Sequence, residues 1–362
     1  MKVALVYDRV NKWGGAERVL LALHRLFPQA PLFTSVYDKS RAHWADVFNV
    51  RTSFLGGFPL VSSNHEFFAA LMPIAFESFD FSEFDLVISI TSESAKGIIT
   101  RPGTCHICYC LTPTRYLWSG YETYFSNPLL RFVSTPFVSY LQNWDRIAAQ
   151  RPDFYYSISN EVSTRIKKYY KRESEVIYPP LGLRGKISKQ KREDFYILVG
   201  RFVPYKKIDL AIEAFNKTGQ KLKIVGSGRG EKALKKRSKP NIEFLTDLTD
   251  KDLSDLYQRA KALIFPGIED FGLAMVEAQS FGTPVIAFRG GGSVEIIIEG
   301  KTGEFFDDMA PESLVSTLKR FDNKSYNSLQ IRKNAERFTF ENFKKKFLTQ
   351  VLETFAEYKT SL

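Results

Sequence analysis

The sequence predicts an α/β fold made of two doubly wound domains, and three observations support this prediction. Short apolar runs typical of buried strands alternate with helical segments along the chain, which is the pattern of a parallel sheet covered by helices. With 362 residues, the chain is long enough for two domains that each bury a sizeable core. Residues 183–194 are charged and irregular, as expected for an interdomain linker.

The N-terminal domain is expected to span residues 1–182. It opens with a strand at Val3–Tyr7 and an amphipathic helix at Ala16–Phe27. Between them, Gly14 and Gly15 form a strand-to-helix turn where backbone can approach a ligand closely. Further strands are predicted at Leu32–Val36, Leu86–Ile90, Thr104–Cys110 and Phe154–Ser159.

The C-terminal domain is expected to span residues 195–338, followed by a final helix in residues 339–362. Its central stretch begins with a buried strand at Ala262–Phe265 and ends in a helix at Leu273–Phe281. The other predicted strands are 195–200, 221–225, 242–245 and 284–288, and the other helices are 207–216, 231–238 and 251–260.

The turn between Phe265 and Leu273 has the chemistry that binds a sugar nucleotide. A helix N-terminus attracts a diphosphate through its backbone amides and partial positive charge. Glu269 lies on the loop, where a carboxylate accepts hydrogen bonds from sugar hydroxyls, and Glu277 lies further along the helix, where it suits a ribose diol. In the alternative interpretation, Glu269 is an exposed loop residue and Glu277 is a solvated helix position.

Neighbouring segments extend this pattern into an ordered set. The set comprises Gly200-Arg201 with Lys206, Glu269-x7-Glu277 with Phe271-Gly272 inside it, Gly282-x-Pro284-Val285, and Gly290–Gly292 with Glu295. It resembles glycosyltransferase family 4, the retaining sugar-nucleotide transferases of the GT-B fold. The resemblance implies two Rossmann-like domains that face a cleft, with the final helix packed back on the N-terminal domain.

The resemblance also implies roles for individual residues. Arg201, Lys206 and Glu269 would be catalytic, with the two cations stabilising the leaving diphosphate and Glu269 orienting the sugar. The donor would also be bound by Gly14, Gly15, Phe271, Gly272, Leu273 and Glu277. Arg115 and Tyr116 follow a strand and are expected to shape the acceptor pocket.

Leu111 departs from the family pattern. Many relatives have a histidine after the Tyr-Cys pair, whereas this chain has leucine, which cannot hydrogen-bond a sugar hydroxyl. We therefore name no catalytic histidine. This departure leaves open a catalytically silent protein that binds a sugar nucleotide, and the fold class leaves open an epimerase or a phosphorylase.

The segments 201–210 and 109–116 look like those of mannosyltransferases that build bacterial surface polysaccharides. The expected reaction moves a hexose, with mannose from GDP-mannose as first candidate, to a glycan or lipid-linked glycan. The sugar nucleotide is a co-substrate, and no further cofactor is expected. No nucleic-acid motif is present, so the net charge of +11 is better explained by a nucleotide donor and an anionic membrane face.

No metal site is expected. Cys105, Cys108 and Cys110 lie in one predicted strand and are interpreted as buried structural thiols rather than metal ligands. Asp250-x-Asp252 superficially matches a metal-binding signature, but Thr249-x-x-Asp252 at a helix start is interpreted as a cap.

We expect a soluble, cytoplasmic chain that contacts the membrane peripherally, because no apolar run reaches the ~18 residues of a membrane span. Two segments are candidates for that contact. Phe67–Phe84 is rich in aromatic residues and is interpreted as core in preference to a bilayer-dipping face. Ser163–Arg172 is basic and suits anionic headgroups, and a solvated helix fits it equally well.

Overall fold

The computed structural model describes residues 1–57, 68–124, 127–185 and 192–361. These residues form two compact units, Met1–Pro180 together with Phe340–Leu362, and Leu181–Thr339. Residues 186–191 of the predicted linker and Phe67 of the aromatic segment lie outside the described residues.

The first unit contains a seven-stranded parallel sheet in the order β3-β2-β1-β4-β5-β6-β7. Its strands are β1 (Val3–Tyr7), β2 (Leu32–Thr34), β3 (Val50–Thr52), β4 (Leu86–Thr91), β5 (Cys105–Cys110), β6 (Phe154–Ser157) and β7 (Glu175–Val176). Its helices are α1 (Gly15–Leu26), α2 (Met72–Glu77), α3 (Tyr121–Tyr124), α4 (Pro128–Ala148) and α5 (Asn160–Tyr170), with α13 (Phe340–Thr360) from the end of the chain.

The centre of this sheet is buried on both faces. Every residue of β4 and β5 is buried, which explains why these strands read as continuous apolar or weakly polar runs. The three cysteines are buried free thiols on β5, as the structural-thiol interpretation predicts. The strands β3 and β7 were not predicted, because they have three and two residues and largely exposed side chains.

Most of the aromatic segment around α2 belongs to the core. Phe76 and Phe81 are buried and pack with Phe33 in one apolar cluster, in agreement with the core interpretation. Leu71 and Ile74 are exposed on the other side of this segment.

The C-terminal helix α13 packs within the first unit. Phe343, Phe347 and Val351 are buried, and the Phe347 ring lies 5.5 Å from that of Tyr109 on β5. The Tyr156 hydroxyl on β6 donates to Thr354 Oγ1 at 2.7 Å. Leu352 of the same helix is exposed.

The second unit contains a six-stranded parallel sheet in the order β10-β9-β8-β11-β12-β13. Its strands are β8 (Tyr196–Val199), β9 (Leu222–Val225), β10 (Ile242–Leu245), β11 (Leu263–Phe265), β12 (Val285–Phe288) and β13 (Gly303–Phe306). Its helices are α6 (Ile208–Thr218), α7 (Glu231–Arg237), α8 (Asp250–Arg259), α9 (Leu273–Ser280), α10 (Ser293–Ile296), α11 (Pro311–Asp322) and α12 (Ser328–Ala335).

The two sheets share one connectivity. Numbered within each unit, the first six strands follow the order 3-2-1-4-5-6, which is the doubly wound arrangement of dinucleotide-binding folds. The predicted fold class, two Rossmann-like α/β domains, is confirmed. In this arrangement the strand order reverses beside the first strand, and ligands bind where the carboxyl ends of the strands meet at that reversal.

Candidate active site

In the second unit the strand order reverses between β8 and β11. The loop after β8 contains Arg201 and the 3-10 turn Pro204–Lys206, and the loop after β11 contains Glu269 and ends at Gly272. Two loops from neighbouring strands therefore meet at the edge where doubly wound sheets bind ligands.

An ion pair joins the two loops. The ammonium of Lys206 lies 2.7 Å from Glu269 Oε1, and the two side chains are 18% and 15% exposed. The ammonium also lies over the ring of Phe265, 5.2 Å from its centroid. Glu269 is thus a half-buried partner of Lys206 rather than an exposed loop residue, and both charges remain within reach of an entering ligand.

The loops also touch through their backbones. A Cβ atom added to Gly267 would lie 2.5 Å from the carbonyl oxygen of Tyr205, so only glycine allows the loops to approach this closely. From the far side, the amide of Gly292 donates to the carbonyl of Glu269 at 2.8 Å. The carboxylate of Glu269 is therefore carried by a loop that is fixed from both sides.

The helix α9 begins at this point. Gly272, at the N-cap, has a φ of 100°, a conformation that side-chain-bearing residues rarely adopt. Among the described residues no side chain caps the first turn, which starts at Leu273. Phe271 is buried and packs against Phe338 at 5.3 Å, which anchors the start of the helix. The first amides of α9 therefore face the same edge as Lys206 and Glu269 and favour an anion.

Glu277 lies in α9, about 6 Å further along the helix axis than Leu273. Glu277 is 6% exposed, so the alternative interpretation of Glu277 as a solvated helix position is wrong. A carboxylate at this depth requires polar partners.

Arg201 is the most exposed of the predicted catalytic residues. Its guanidinium donates to the hydroxyl of Tyr205 at 3.1 Å. Arg201 therefore lies on the same loop as Lys206 but is held at the surface, whereas Lys206 is drawn inward by Glu269.

The first unit has its own reversal of strand order, between β1 and β4. Asp8, directly after β1, accepts hydrogen bonds from Thr91 Oγ1 and from the amides of Ser92, Glu93 and Ala95, at 2.7–3.0 Å. Arg9 forms a bidentate pair with Glu93 at 2.5 and 2.7 Å. Burial and the neighbouring Glu93 raise the pKa of Asp8. Burial by itself lowers the pKa of the Arg9 guanidinium. The negative charge of Glu93 outweighs this effect, so the pKa of Arg9 is raised.

The predicted Gly14-Gly15 turn lies at the start of α1. A Cβ atom on Gly14 would approach Glu17 Oε2 to 3.1 Å. Glu17 is buried, and its Oε1 accepts from the Tyr7 hydroxyl at 2.7 Å, so this turn is supported by a fixed carboxylate.

The predicted acceptor residues follow β5. Arg115 and Tyr116 are partly exposed, and Tyr116 packs on the apolar cluster of Leu117, Val138 and Leu141. Leu111, at the position of the family histidine, is buried.

A buried network supports the same segment. Lys96 pairs with Asp145 at 2.5 Å, and Asp145 also accepts from the indole of Trp118 at 2.7 Å and from the hydroxyl of Thr114 at 3.0 Å. This network fixes the position of Trp118 relative to α4.

Sequence reasoning missed Asp8, Arg9, Glu93, Lys96 and Asp145. The available signal for the first three was their position, because each follows directly after a strand that ends at the ligand-binding edge. The last two are charged residues in otherwise apolar surroundings, and only the fold reveals that they pair.

The cap predicted at Thr249 is confirmed, because Thr249 and Asp252 form a reciprocal capping box at the start of α8. Within the described ranges, no group of three or more His, Cys, Asp or Glu residues has the arrangement of a metal site.

Comparison with protein families shows that residues 183–338 match the family described as Glycosyl transferases group 1. The matched range contains Arg201, Lys206, Glu269 and Glu277. Among curated relatives, an O-antigen chain mannosyltransferase of Salmonella typhimurium is 28% identical over 153 residues, covering 39% of this chain and 43% of the relative. The chain spans about half the length of the first curated relatives that it matches.

Two solved structures share the fold over nearly the whole chain. The apo form of a lipopolysaccharide outer core galactosyltransferase superposes with a TM-score of 0.71 at 18% identity, covering 98% of this chain and 99% of the other. A protein of Anabaena in complex with UDP superposes with a TM-score of 0.72 at 17% identity, covering 98% and 100%. Residues 183–338 therefore resemble the group 1 glycosyl transferases, within a chain that has the GT-B fold.

Proposed function

We propose that this chain is a retaining glycosyltransferase of family 4. In this proposal it moves a hexose from a nucleotide diphosphate sugar to a glycan or lipid-linked glycan in surface polysaccharide synthesis. GDP-mannose is the first candidate donor, in line with the mannosyltransferase relative. UDP-sugars are the competing donors, because a structural relative is a UDP complex.

The observation that carries this proposal is the Lys206–Glu269 pair beside the N-terminus of α9. The ammonium of Lys206 is paired with Glu269 Oε1 at 2.7 Å. A donor would exchange this pair for two others, with the ammonium of Lys206 on the diphosphate and the carboxylate of Glu269 on the sugar hydroxyls. The two members of one ion pair thus supply a positive charge for the diphosphate and a negative charge for the sugar, the two groups joined by the bond that must break.

In the reaction, the bond between the anomeric carbon and the diphosphate oxygen breaks, and its electron pair leaves with the diphosphate. Lys206, Arg201 and the first amides of α9, from Leu273 onward, stabilise that charge. The acceptor oxygen attacks the same face of the sugar, and its proton passes to the departing diphosphate. Glu277 holds the ribose diol throughout.

The remaining donor and acceptor contacts follow from the same proposal. Gly14 and Gly15 would present backbone to the diphosphate and sugar, while Arg115 and Tyr116 shape the acceptor pocket. We also propose that the chain works at the cytoplasmic face of a membrane, which it contacts peripherally through anionic lipids.

A panel of melting experiments with GDP-, UDP-, ADP- and TDP-sugars tests donor binding. A ligand at about 100 times its dissociation constant stabilises the folded state by about 2.7 kcal/mol. Release of nucleotide, followed by chromatography with and without acceptor glycans, tests turnover. Absence of both stabilisation and nucleotide release across the panel would refute the proposal.

Leu111 supports a second candidate, a silent protein that binds sugar nucleotides without turning them over. Its buried apolar side chain offers nothing to a sugar at the position where relatives place a histidine. Thermal stabilisation by one donor without any hydrolysis or transfer would favour this candidate over the enzyme.

A further inference from the structure

We infer that the outer face of α4 is the surface on which this protein enters the headgroup region of an anionic bilayer. Six large apolar side chains of α4 point to solvent: Leu129, Phe132, Val133, Phe137, Tyr140 and Ile147. The inference deepens the membrane contact proposed above and rests on it. It names an element that the sequence did not single out.

The six side chains form one stripe. Their spacing along the chain follows the helical repeat, so they lie on one side of α4, opposite the buried Val138, Leu141 and Asp145. Leu129, Phe132 and Val133 are 72%, 79% and 67% exposed. The stripe is about 27 Å long, from the rise of 1.5 Å per residue over residues 129–147. A monomeric domain rarely leaves so continuous an apolar face in water.

The inner face of α4 is firmly attached to the unit. Asp145 pairs with the buried Lys96 and accepts a hydrogen bond from the indole of Trp118 at 2.7 Å. The stripe therefore belongs to a helix whose inner face is bonded to the rest of the unit and whose outer face is apolar. Helices that lie on a membrane surface also have one apolar face.

A cationic aromatic pocket adjoins the end of the stripe. It has a volume of about 500 Å³ and is lined by Trp118, Arg146, Lys168, Tyr169 and Lys171 among others. The guanidinium of Arg146 lies 4.9 Å from the Trp118 ring, which stacks on Tyr169 at 5.2 Å. Within the described part of the chain, Arg146, Lys168 and Lys171 have no carboxylate within 4.0 Å.

This combination identifies the occupant as an anionic lipid surface. The uncompensated cations suit phosphate-bearing headgroups, while the apolar stripe suits the upper part of the acyl chains. A second copy of the chain fits less well, because two copies that met at this face would bring like charges together. In the described ranges, no helix combines the length and apolar character that crossing a bilayer would require, so α4 would lie along the surface.

Sedimentation of the full chain with vesicles tests the inference. We expect binding to vesicles of equal parts phosphatidylcholine and phosphatidylglycerol and none to phosphatidylcholine alone. Phe132→Ser with Val133→Ser should weaken partitioning at least about tenfold, since each buried methylene contributes to membrane binding. Arg146→Gln with Lys168→Gln and Lys171→Gln should weaken it about 100-fold, from about fivefold per cation.

Matched controls lie in the second unit. Leu329→Ser removes an equally exposed leucine from α12, and Lys232→Gln with Lys236→Gln and Lys251→Gln removes three exposed cations. Neither should change partitioning. Nucleotide release from a sugar nucleotide without vesicles should be unchanged in all variants, so failure of the membrane inference is separable from failure of the proposed function.

A fluorescent label gives a second measurement of membrane contact, one that does not rely on replacing apolar side chains by serine. Because the three native cysteines are buried, Phe132→Cys offers a single accessible thiol for an environment-sensitive fluorophore. Its emission should shift to the blue with anionic vesicles, whereas a label at Leu329→Cys should not respond.

Absence of vesicle binding, or equal binding by wild type and both variants, would overturn the inference. So would a label at Phe132→Cys that responds no more than the control. A lipid-free dimer that is lost in the Phe132→Ser, Val133→Ser variant, without vesicle binding by wild type, would reassign the stripe to a self-interface.

Discussion

The two sheets reverse their strand order at equivalent places, and each reversal carries an ion pair of the same polarity. In the first unit the cation, Arg9, follows the first strand and its partner, Glu93, follows the fourth. In the second unit Lys206 and Glu269 occupy the same places. The four side chains are between 15% and 21% exposed, so burial does not distinguish the pairs.

The pairs differ in how firmly they are bonded. Arg9 donates two hydrogen bonds to Glu93. Asp8 beside it accepts hydrogen bonds from four groups, one at the end of β4 and three in the residues that follow it. Lys206 holds Glu269 through one ammonium, a compact charge that transfers readily to a phosphate. The comparison indicates that the same position is a structural clasp in one unit and an exchangeable ligand site in the other.

The largest expected effect tests the exchangeable pair. Lys206→Ala should lower kcat/KM for the donor about 100-fold or more, because one preorganised charge at a developing anion contributes about 3 kcal/mol. Steady-state kinetics of nucleotide release measures the effect.

Lys207→Asn is the matched control for Lys206→Ala. It removes the neighbouring exposed cation, and asparagine tolerates the φ of 51° at that position. If Lys206→Ala retained the wild-type rate while the control behaved normally, the pair in the second unit would be structural as well.

Removal of the Arg9–Glu93 pair in the first unit should lower the stability of that unit. Arg9→Met should lower the free energy of unfolding of this unit by about 2 kcal/mol, since it leaves Glu93 and Asp8 in partly buried surroundings without their cation. Hydrogen exchange of the β1 and β4 amides measures this loss locally.

The corresponding change in the second unit, Lys206→Met, serves as the comparison. It should alter exchange at β8 and β11 by less than Arg9→Met alters exchange at β1 and β4, because it removes a single ammonium contact instead of two guanidinium bonds. Equal losses from both variants would contradict the proposed difference.

The sequence identifies the ion-pair residues of the second unit better than those of the first. Glu269 is predicted from the turn between Phe265 and Leu273, and Lys206 is predicted from the family resemblance. Their contact depends on a strand order that brings together residues 63 positions apart in the sequence. Asp8 and Arg9 begin the loop that contains the Gly14-Gly15 turn, but no sequence pattern links them to Glu93, and their own signal is their position after a strand. The predicted strand at Ile242–Leu245 matches β10 residue for residue, because a short apolar run between loops has few alternative placements.

The stripe on α4 shows a different limit of sequence reasoning. Apolar residues at helical spacing ordinarily indicate a core face, and α4 has such residues on two sides. Which side is buried depends on Lys96, 49 positions away from its partner Asp145. Only the fold supplies that information.

A smaller effect sharpens the role of the second unit. Glu277→Gln should raise KM for the donor about tenfold with kcat nearly unchanged, because the loss of charge-assisted bonds to the ribose weakens ground state and transition state alike. A donor with 2′-deoxyribose should show a similar loss with the wild type and little additional loss with the variant. Additive losses would place the ribose elsewhere, and Glu243→Gln, an exposed position on β10, controls for the change of charge.

The smallest expected effect is a loss of stability at low pH. It should differ between the two units because their histidine content differs. All four histidines belong to the first 180 residues. Burial, with Arg172 and Arg151 nearby, lowers the pKa of His106 to about 3, whereas an unfolded histidine has a pKa of about 6.5. Below pH 6.5 the unfolded state therefore binds a proton that the folded state excludes, and stability falls as pH falls.

The first unit should consequently be about 1.4 kcal/mol less stable at pH 5.5 than at pH 7.5 through His106 alone. Hydrogen exchange at β5, corrected for the intrinsic pH dependence, measures this loss, and β12 in the second unit provides the internal reference. His106→Gln should lower stability at both pH values through the lost contact with Ser89, but it should abolish this part of the pH dependence. His43→Gln, at an exposed position, should leave the dependence unchanged. An unaltered acid response in His106→Gln would mean that carboxylates, and not this buried imidazole, set the difference between the units.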